Sequence, residues 1–93
     1  MNKKKLNKLR IKIDSVDNKI FSLIKKRTSR VKQMLKLKKN KNEIVVQKRN
    51  KEIFRKIKKK SLQNNIDPKI TTKIWKSMIW AYIDYQRKNF KKK

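Results

Sequence analysis

Apolar side chains recur at helical spacing over the first 38 residues of the chain. The steps between them alternate between three and four residues, which is typical of one face of a continuous α-helix. The pattern predicts a helix from Asn2 or Lys3 to about Lys39, because no glycine or proline interrupts it. We call this face the apolar stripe, and it consists of Leu6, Leu9, Ile13, Val16, Ile20, Leu23, Val31 and Met34.

Two cations, Arg27 and Lys38, occupy positions on this line where the spacing calls for an apolar residue. They are eleven residues apart, which is about three helical turns. A buried cation destabilises a helix bundle unless an anionic group meets it. Since the chain has only six acidic residues, we expect an anionic ligand to fill this role.

The predicted first helix is too long for a compact monomer. At 1.5 Å per residue it would span roughly 50 Å, which exceeds the diameter of a domain of this size. The rest of the chain is too short to cover the apolar stripe. We therefore expect residues 1–93 to form one helical domain that crosses a second copy in an intertwined homodimer.

Two further helices follow. Lys39 to Glu43 is a polar break, and residues 44–46 are predicted to be a packed apolar connector. A second helix is predicted from Gln47 to Gln63. Its inward line is expected to contain Arg49, Ile53, Ile57 and Lys60.

The third helix has the clearest start signal. Asp67 is a good N-cap residue and Pro68 suits the first helical position. Gln86 interrupts the apolar line of this helix with an amide. The predicted fold class is therefore all-α, with three helices (long, short and medium) and no strands.

Composition excludes several kinds of chemistry. The chain has no cysteine and no histidine, which rules out disulfides, thiol nucleophiles, imidazole bases and the usual zinc ligands. No apolar run is long enough to span a membrane, and the N-terminus does not look like a signal peptide. We therefore expect a cytoplasmic protein that needs no membrane.

The net charge of +26 would ordinarily suggest nucleic-acid binding. Lysine is spread along the whole chain, however, together with abundant asparagine and isoleucine. We interpret this as compositional drift that has filled exposed positions with lysine. Non-specific binding to polyanions is expected, whereas a small basic helical dimer dedicated to nucleic acid remains an alternative, without an evident base-reading or stacking motif.

Arginine is scarce, and three of the six arginines lie on or near inward faces: Arg10, Arg27 and Arg49. A guanidinium can bind a planar carboxylate through two hydrogen bonds, which an ammonium cannot do. Each arginine alone would more commonly extend along the surface to reach water, and Gln86 alone could fix helix register. Together the inward polar groups are all cations or neutral donors, and this set suits a small dianion.

These residues resemble a known family. The segments Leu9-Arg10-x-x-Ile13-Asp14-x-x-Asp17-x-x-Ile20 and Leu23-Ile24-x-x-Arg27 are similar to the opening of the all-helical chorismate mutases. The resemblance continues through Lys38, Arg49, the Ile66-Asp67-Pro68 break and Gln86. It covers roughly residues 6 to 90.

The resemblance implies an intertwined dimer with two identical pockets and no cofactor. Arg10 from the partner chain, with Arg27 and Arg49, would hold the two carboxylates of chorismate. Lys38 and Gln86 would donate hydrogen bonds to the ether oxygen while chorismate rearranges to prephenate. Such a reaction needs conformer selection and electrostatic stabilisation, but neither a nucleophile nor a general base.

Three expected substrate-binding positions depart from the common mutase pattern. Asn50 stands where many members have Glu, Val46 stands where Asp is frequent, and Tyr82 replaces a smaller residue. An apolar residue near the second helix and a tyrosine before Gln86 are also features of the isochorismate-pyruvate lyases, a sister branch with the same fold. We favour the mutase and keep the lyase as the alternative.

Overall fold

A computed structural model describes residues 2–92 and shows three α-helices. They are α1 (Lys3–Leu37), α2 (Gln47–Gln63) and α3 (Pro68–Asn89), and a 3₁₀ turn at Lys41–Glu43 lies between the first two. No strand occurs within the described residues. The prediction of an all-α chain with long, short and medium helices is therefore confirmed, and the predicted bounds agree within two residues.

The chain divides into two compact units, one ending at Gln33 and the other beginning at Met34. The first unit consists mainly of α1, which contains no buried residue. Side chains of the apolar stripe are about half exposed, at 56% for Leu9, 49% for Ile20 and 62% for Leu23. The single chain therefore leaves this face of α1 uncovered.

The second unit is organised by the packing of α2 against α3. Its buried core consists of Ile44 from the connector and of Ile79 and Ile83 from α3. Partly buried apolar side chains surround them: Val45, Ile53, Phe54, Trp75 and Phe90. Ile44 is only 5% exposed, so the prediction of a packed connector is confirmed.

The turn between α2 and α3 explains why α2 ends at Gln63 and α3 begins at Pro68. Asn65 adopts a positive φ of 56°, which asparagine tolerates better than most residues. The backbone N–H of Ile66 donates to the carbonyl of Ser61 at 2.9 Å, which closes a Schellman turn at the end of α2. The Asp67 side chain then accepts the N–H of Lys69 at 2.9 Å, and Pro68 opens α3 as predicted.

The inward line of α2 was predicted incorrectly at its end. Lys60 is exposed, whereas Ser61 is 2% exposed. The Ser61 hydroxyl donates to the carbonyl of Ile57 at 2.6 Å and shares a 2.6 Å hydrogen bond with the hydroxyl of Thr71. A small side chain with its polar atom satisfied can be buried here, while a lysine ammonium would have no anion to meet it.

None of the helices in the described part of the chain is both long and apolar enough to cross a membrane.

Replacing Asp67 with alanine tests the start of α3. Loss of the side-chain acceptor at an N-cap costs about 1 kcal/mol, whereas asparagine is an equally good cap. We expect Asp67→Ala to lower the free energy of unfolding by about that amount, measured by urea denaturation at fixed protein concentration. Asp67→Asn should stay within a few tenths of a kcal/mol of wild type, and equal losses in both variants would contradict the capping role.

Candidate active site

The central polar contact of the second unit joins Lys38 to Gln86. Lys38 follows the last residue of α1, and its backbone N–H donates to the carbonyl of Leu35 at 3.2 Å. Its Nζ atom donates to Oε1 of Gln86 at 2.6 Å. The structure therefore brings together the two residues that were predicted to face the same ligand atom.

The orientation of the Gln86 amide is set by its own helix. Its Nε2 atom donates to the backbone carbonyl of Tyr82, one turn earlier in α3, at 3.2 Å. This bond turns Oε1 towards Lys38, and the side chain is buried, with 7% exposure. Sequence spacing predicted an amide within the apolar line, and its burial confirms that placement.

The pair has more donors than it uses internally. An ammonium carries three N–H groups and a primary amide carries two. One N–H of Lys38 binds Gln86, and one N–H of Gln86 binds the Tyr82 carbonyl. Two donors on Lys38 and one on Gln86 are left for a ligand, so this site suits an oxygen atom that accepts hydrogen bonds.

The Lys38 ammonium is electrostatically perturbed. Burial lowers its pKa below the ordinary lysine value, because the charged form loses hydration, and the negative charge of Glu43 offsets part of this effect. An external anion was expected to balance Lys38, whereas Glu43 was assigned to the polar break without a role.

Glu43 also makes a direct backbone contact. Its Oε2 atom accepts the N–H of Lys39 at 2.7 Å, so the side chain closes the connector just after Lys38. The one available signal in the sequence was an isolated acidic residue within a run of lysines and asparagines.

The start of α2 holds three of the predicted binding residues. Arg49 is exposed, and its Nη1 atom lies 3.7 Å from Oε2 of Glu52. Asn50 is half-buried and its backbone N–H donates to the carbonyl of Val46 at 3.0 Å, while the Val46 side chain is exposed. In the single chain Arg49 thus does not point inward as predicted, and an exposed ion pair of this kind is weak enough to exchange for a ligand carboxylate.

The remaining two arginines lie on α1 in the first unit. Arg10 is exposed and Arg27 is half-buried. Tyr82, the last predicted binding residue, is half-buried on α3.

Comparison with protein-family models identifies one family for this fold and site. The model described as chorismate mutase type II matches residues 9–87, which includes every predicted binding residue. No curated protein and no solved structure matches the chain.

The surroundings of Lys38 lead us to expect that its ammonium has a lower pKa than an ordinary lysine. Because burial lowers its pKa, the Lys38 ammonium should lose its proton at a lower pH than an ordinary lysine does. Carbon-13 NMR of the lysine ε-carbons as a function of pH would show this signal. The signal should vanish in Lys38→Arg, and its persistence there would assign the low pKa to a different lysine.

Proposed function

The chain belongs to the chorismate mutase type II family, and we propose that it rearranges chorismate to prephenate, as a cytoplasmic step of aromatic amino-acid biosynthesis. The observation that carries this proposal is the Lys38–Gln86 pair. It is a partly buried set of donors with unused N–H groups, located within the region that matches the family.

The proposed reaction needs hydrogen-bond donors at one oxygen, and this pair supplies such donors. In the rearrangement the ether C–O bond of chorismate breaks while a C–C bond forms within the same molecule. Negative charge grows on the ether oxygen in the transition state. Donors that are already oriented stabilise that charge without reorganising, which is a large source of catalysis in a site shielded from water.

The carboxylates of the substrate require cations. We assign Arg27 and Arg49 to them, together with Arg10 from a partner chain. Guanidinium groups that grip both carboxylates would hold the substrate in the folded conformer whose reacting carbons are close together. The assignment is supported by the spacing of these arginines and by the family match over residues 9–87.

A second copy of the chain is the proposed cover for the apolar stripe. α1 is a 35-residue helix with no buried residue, and its stripe exposes side chains such as Ile13 and Leu23 by more than half. A crossed pair of such helices would bury both stripes. The same arrangement would bring Arg10 of one chain to the substrate site of the other.

The isochorismate-pyruvate lyase is the second candidate. It is favoured by Tyr82, which is half-buried one turn before Gln86, and by the apolar Val46 at the start of α2. The ether oxygen would meet the same two donors in this reaction, so the Lys38–Gln86 pair serves both candidates.

Product identification separates the two. Purified protein is incubated with chorismate or with isochorismate, and the products are identified by liquid chromatography and mass spectrometry. The proposal requires prephenate from chorismate. Efficient release of pyruvate from isochorismate, with little prephenate formed from chorismate, would favour the lyase over the mutase. If neither substrate is converted, both proposed activities are contradicted.

Removing the Lys38 donor should abolish most of the activity. We expect Lys38→Met to lower kcat/KM for chorismate by about a hundredfold to a thousandfold, as for loss of a donor to a developing oxyanion. Lys39→Met is the matched control, because it removes one lysine charge from an exposed neighbouring side chain. Equal losses in the two variants would mean that only overall charge matters.

The dimer is tested by placing a charge on the apolar stripe. The wild-type chain should sediment at twice its 11.4 kDa mass. Ile20→Lys should weaken or abolish the dimer, whereas Asn18→Lys adds the same charge about half a turn away and should leave it intact. A wild-type monomer, or a dimer equally insensitive to both substitutions, would refute the proposed interface.

A further inference from the structure

We propose that Glu43 is a positioning residue for Lys38: it closes the connector after α1 and supplies the negative charge that balances the ammonium. The inference deepens the proposed function, since it concerns the same site. It rests on the contacts of the connector and not on the family pattern.

The Glu43 side chain contacts the backbone next to Lys38. The Glu43 carboxylate accepts the N–H of Lys39 at 2.7 Å, so it grips the chain one residue after Lys38. On its other side Glu43 is followed by Ile44, which is buried in the core of the second unit. Glu43 thus links the backbone beside Lys38 to a fixed point in that core.

Backbone bonds fold the connector around this link. The N–H of Glu43 donates to the carbonyl of Asn40 and that of Ile44 donates to the carbonyl of Lys41, each at 3.1 Å. Lys39, Asn40 and Lys41 are exposed and offer no apolar side chain to pack. The Glu43 side chain adds to these backbone bonds a contact that reaches back to Lys39.

The charge of Glu43 also acts on the Lys38 ammonium. The neutral Gln86 amide of α3 accepts a hydrogen bond from the Lys38 ammonium, and the negative charge of Glu43 acts on the ammonium from the connector. The nearest titratable residue to Gln86 along its face of α3 is Tyr82, which meets Gln86 through its backbone carbonyl. Glu43 thus raises the pKa of a partly desolvated ammonium and offsets part of the effect of burial.

The sign of the pH effect follows. Burial lowers the pKa of Lys38 and Glu43 raises it. If the charge of Glu43 is removed, the pKa of Lys38 falls further, and the ammonium loses its proton at a lower pH. A reaction that needs the charged donor then loses its rate at a lower pH. The basic limb of its pH–rate profile therefore shifts to lower pH.

Two substitutions separate the two roles. Glu43→Gln removes the charge and keeps an oxygen that can accept the Lys39 N–H, whereas Glu43→Ala removes both. Asp67→Asn is the matched control, because it makes the same carboxylate-to-amide change at a helix cap elsewhere in the second unit. It alters net charge equally.

The first measurement uses the protein without substrate. We expect the Lys38 ε-carbon signal to titrate at a lower pH in Glu43→Gln than in wild type or in Asp67→Asn. Hydrogen exchange of the Lys39 amide should be about as slow in Glu43→Gln as in wild type, and at least about tenfold faster in Glu43→Ala. These results do not depend on which reaction the protein catalyses, so they stand even if the mutase proposal fails.

The second measurement is the pH dependence of kcat/KM for chorismate. Glu43→Gln should shift the basic limb to lower pH and remain within about twofold of wild type near neutral pH. Glu43→Ala should also lose about tenfold near neutral pH, because a displaced donor is a poor catalyst.

Unchanged Lys38 titration in Glu43→Gln would overturn the electrostatic role, and unchanged Lys39 exchange in Glu43→Ala would overturn the positioning role. A higher kcat/KM in Glu43→Gln with an unmoved basic limb would show instead that Glu43 repels the dianionic substrate.

Discussion

The hydrogen bond between Lys38 and Gln86 is the interaction on which the site depends. Each group would be costly to bury alone, the ammonium through lost hydration and the amide through an unsatisfied oxygen. Each meets the other at 2.6 Å. The core determines where the pair lies. Ile79 and Ile83 pack α3 into the core, and Ile44 packs the connector that follows Lys38 into the same core. Three apolar side chains thus position two polar ones.

The proposed chemistry suits a chain that has neither histidine nor cysteine. A rearrangement within one molecule transfers no proton and forms no bond to the protein, so donors and cations are sufficient. The excess of lysine adds a general attraction for anions but no geometry, because exposed ammonium groups are mobile and hydrated. Selectivity must therefore come from the few cations that are held in place. Lys38 is held by the Gln86 amide, and the Glu43 carboxylate binds the backbone N–H of the next residue.

Sequence spacing predicted the helices and Gln86 because their signals are repeated or local. The bounds of α2, the Asp67–Pro68 start and the amide on the apolar line of α3 all follow from periodicity and capping. Ser61 was missed because a shift of one position on a short helix decides which side chain is buried. Glu43 was missed because its partner is a backbone N–H. The spacing of side chains along the sequence does not indicate contacts with the backbone. The sequence shows that the apolar stripe exists, but periodicity within one chain carries no signal for the second copy that is proposed to cover it.

The positions that depart from the common mutase pattern share a structural property. Tyr82 orients Gln86 through its backbone carbonyl, and Val46 accepts the N–H of Asn50 in the same way. Both bonds use backbone carbonyls, so they do not depend on which side chain stands at position 82 or 46. In the proposed reactions, substrate preference could therefore diverge at these positions while the Lys38–Gln86 pair is retained. The same pair of donors would then serve either of the two proposed activities.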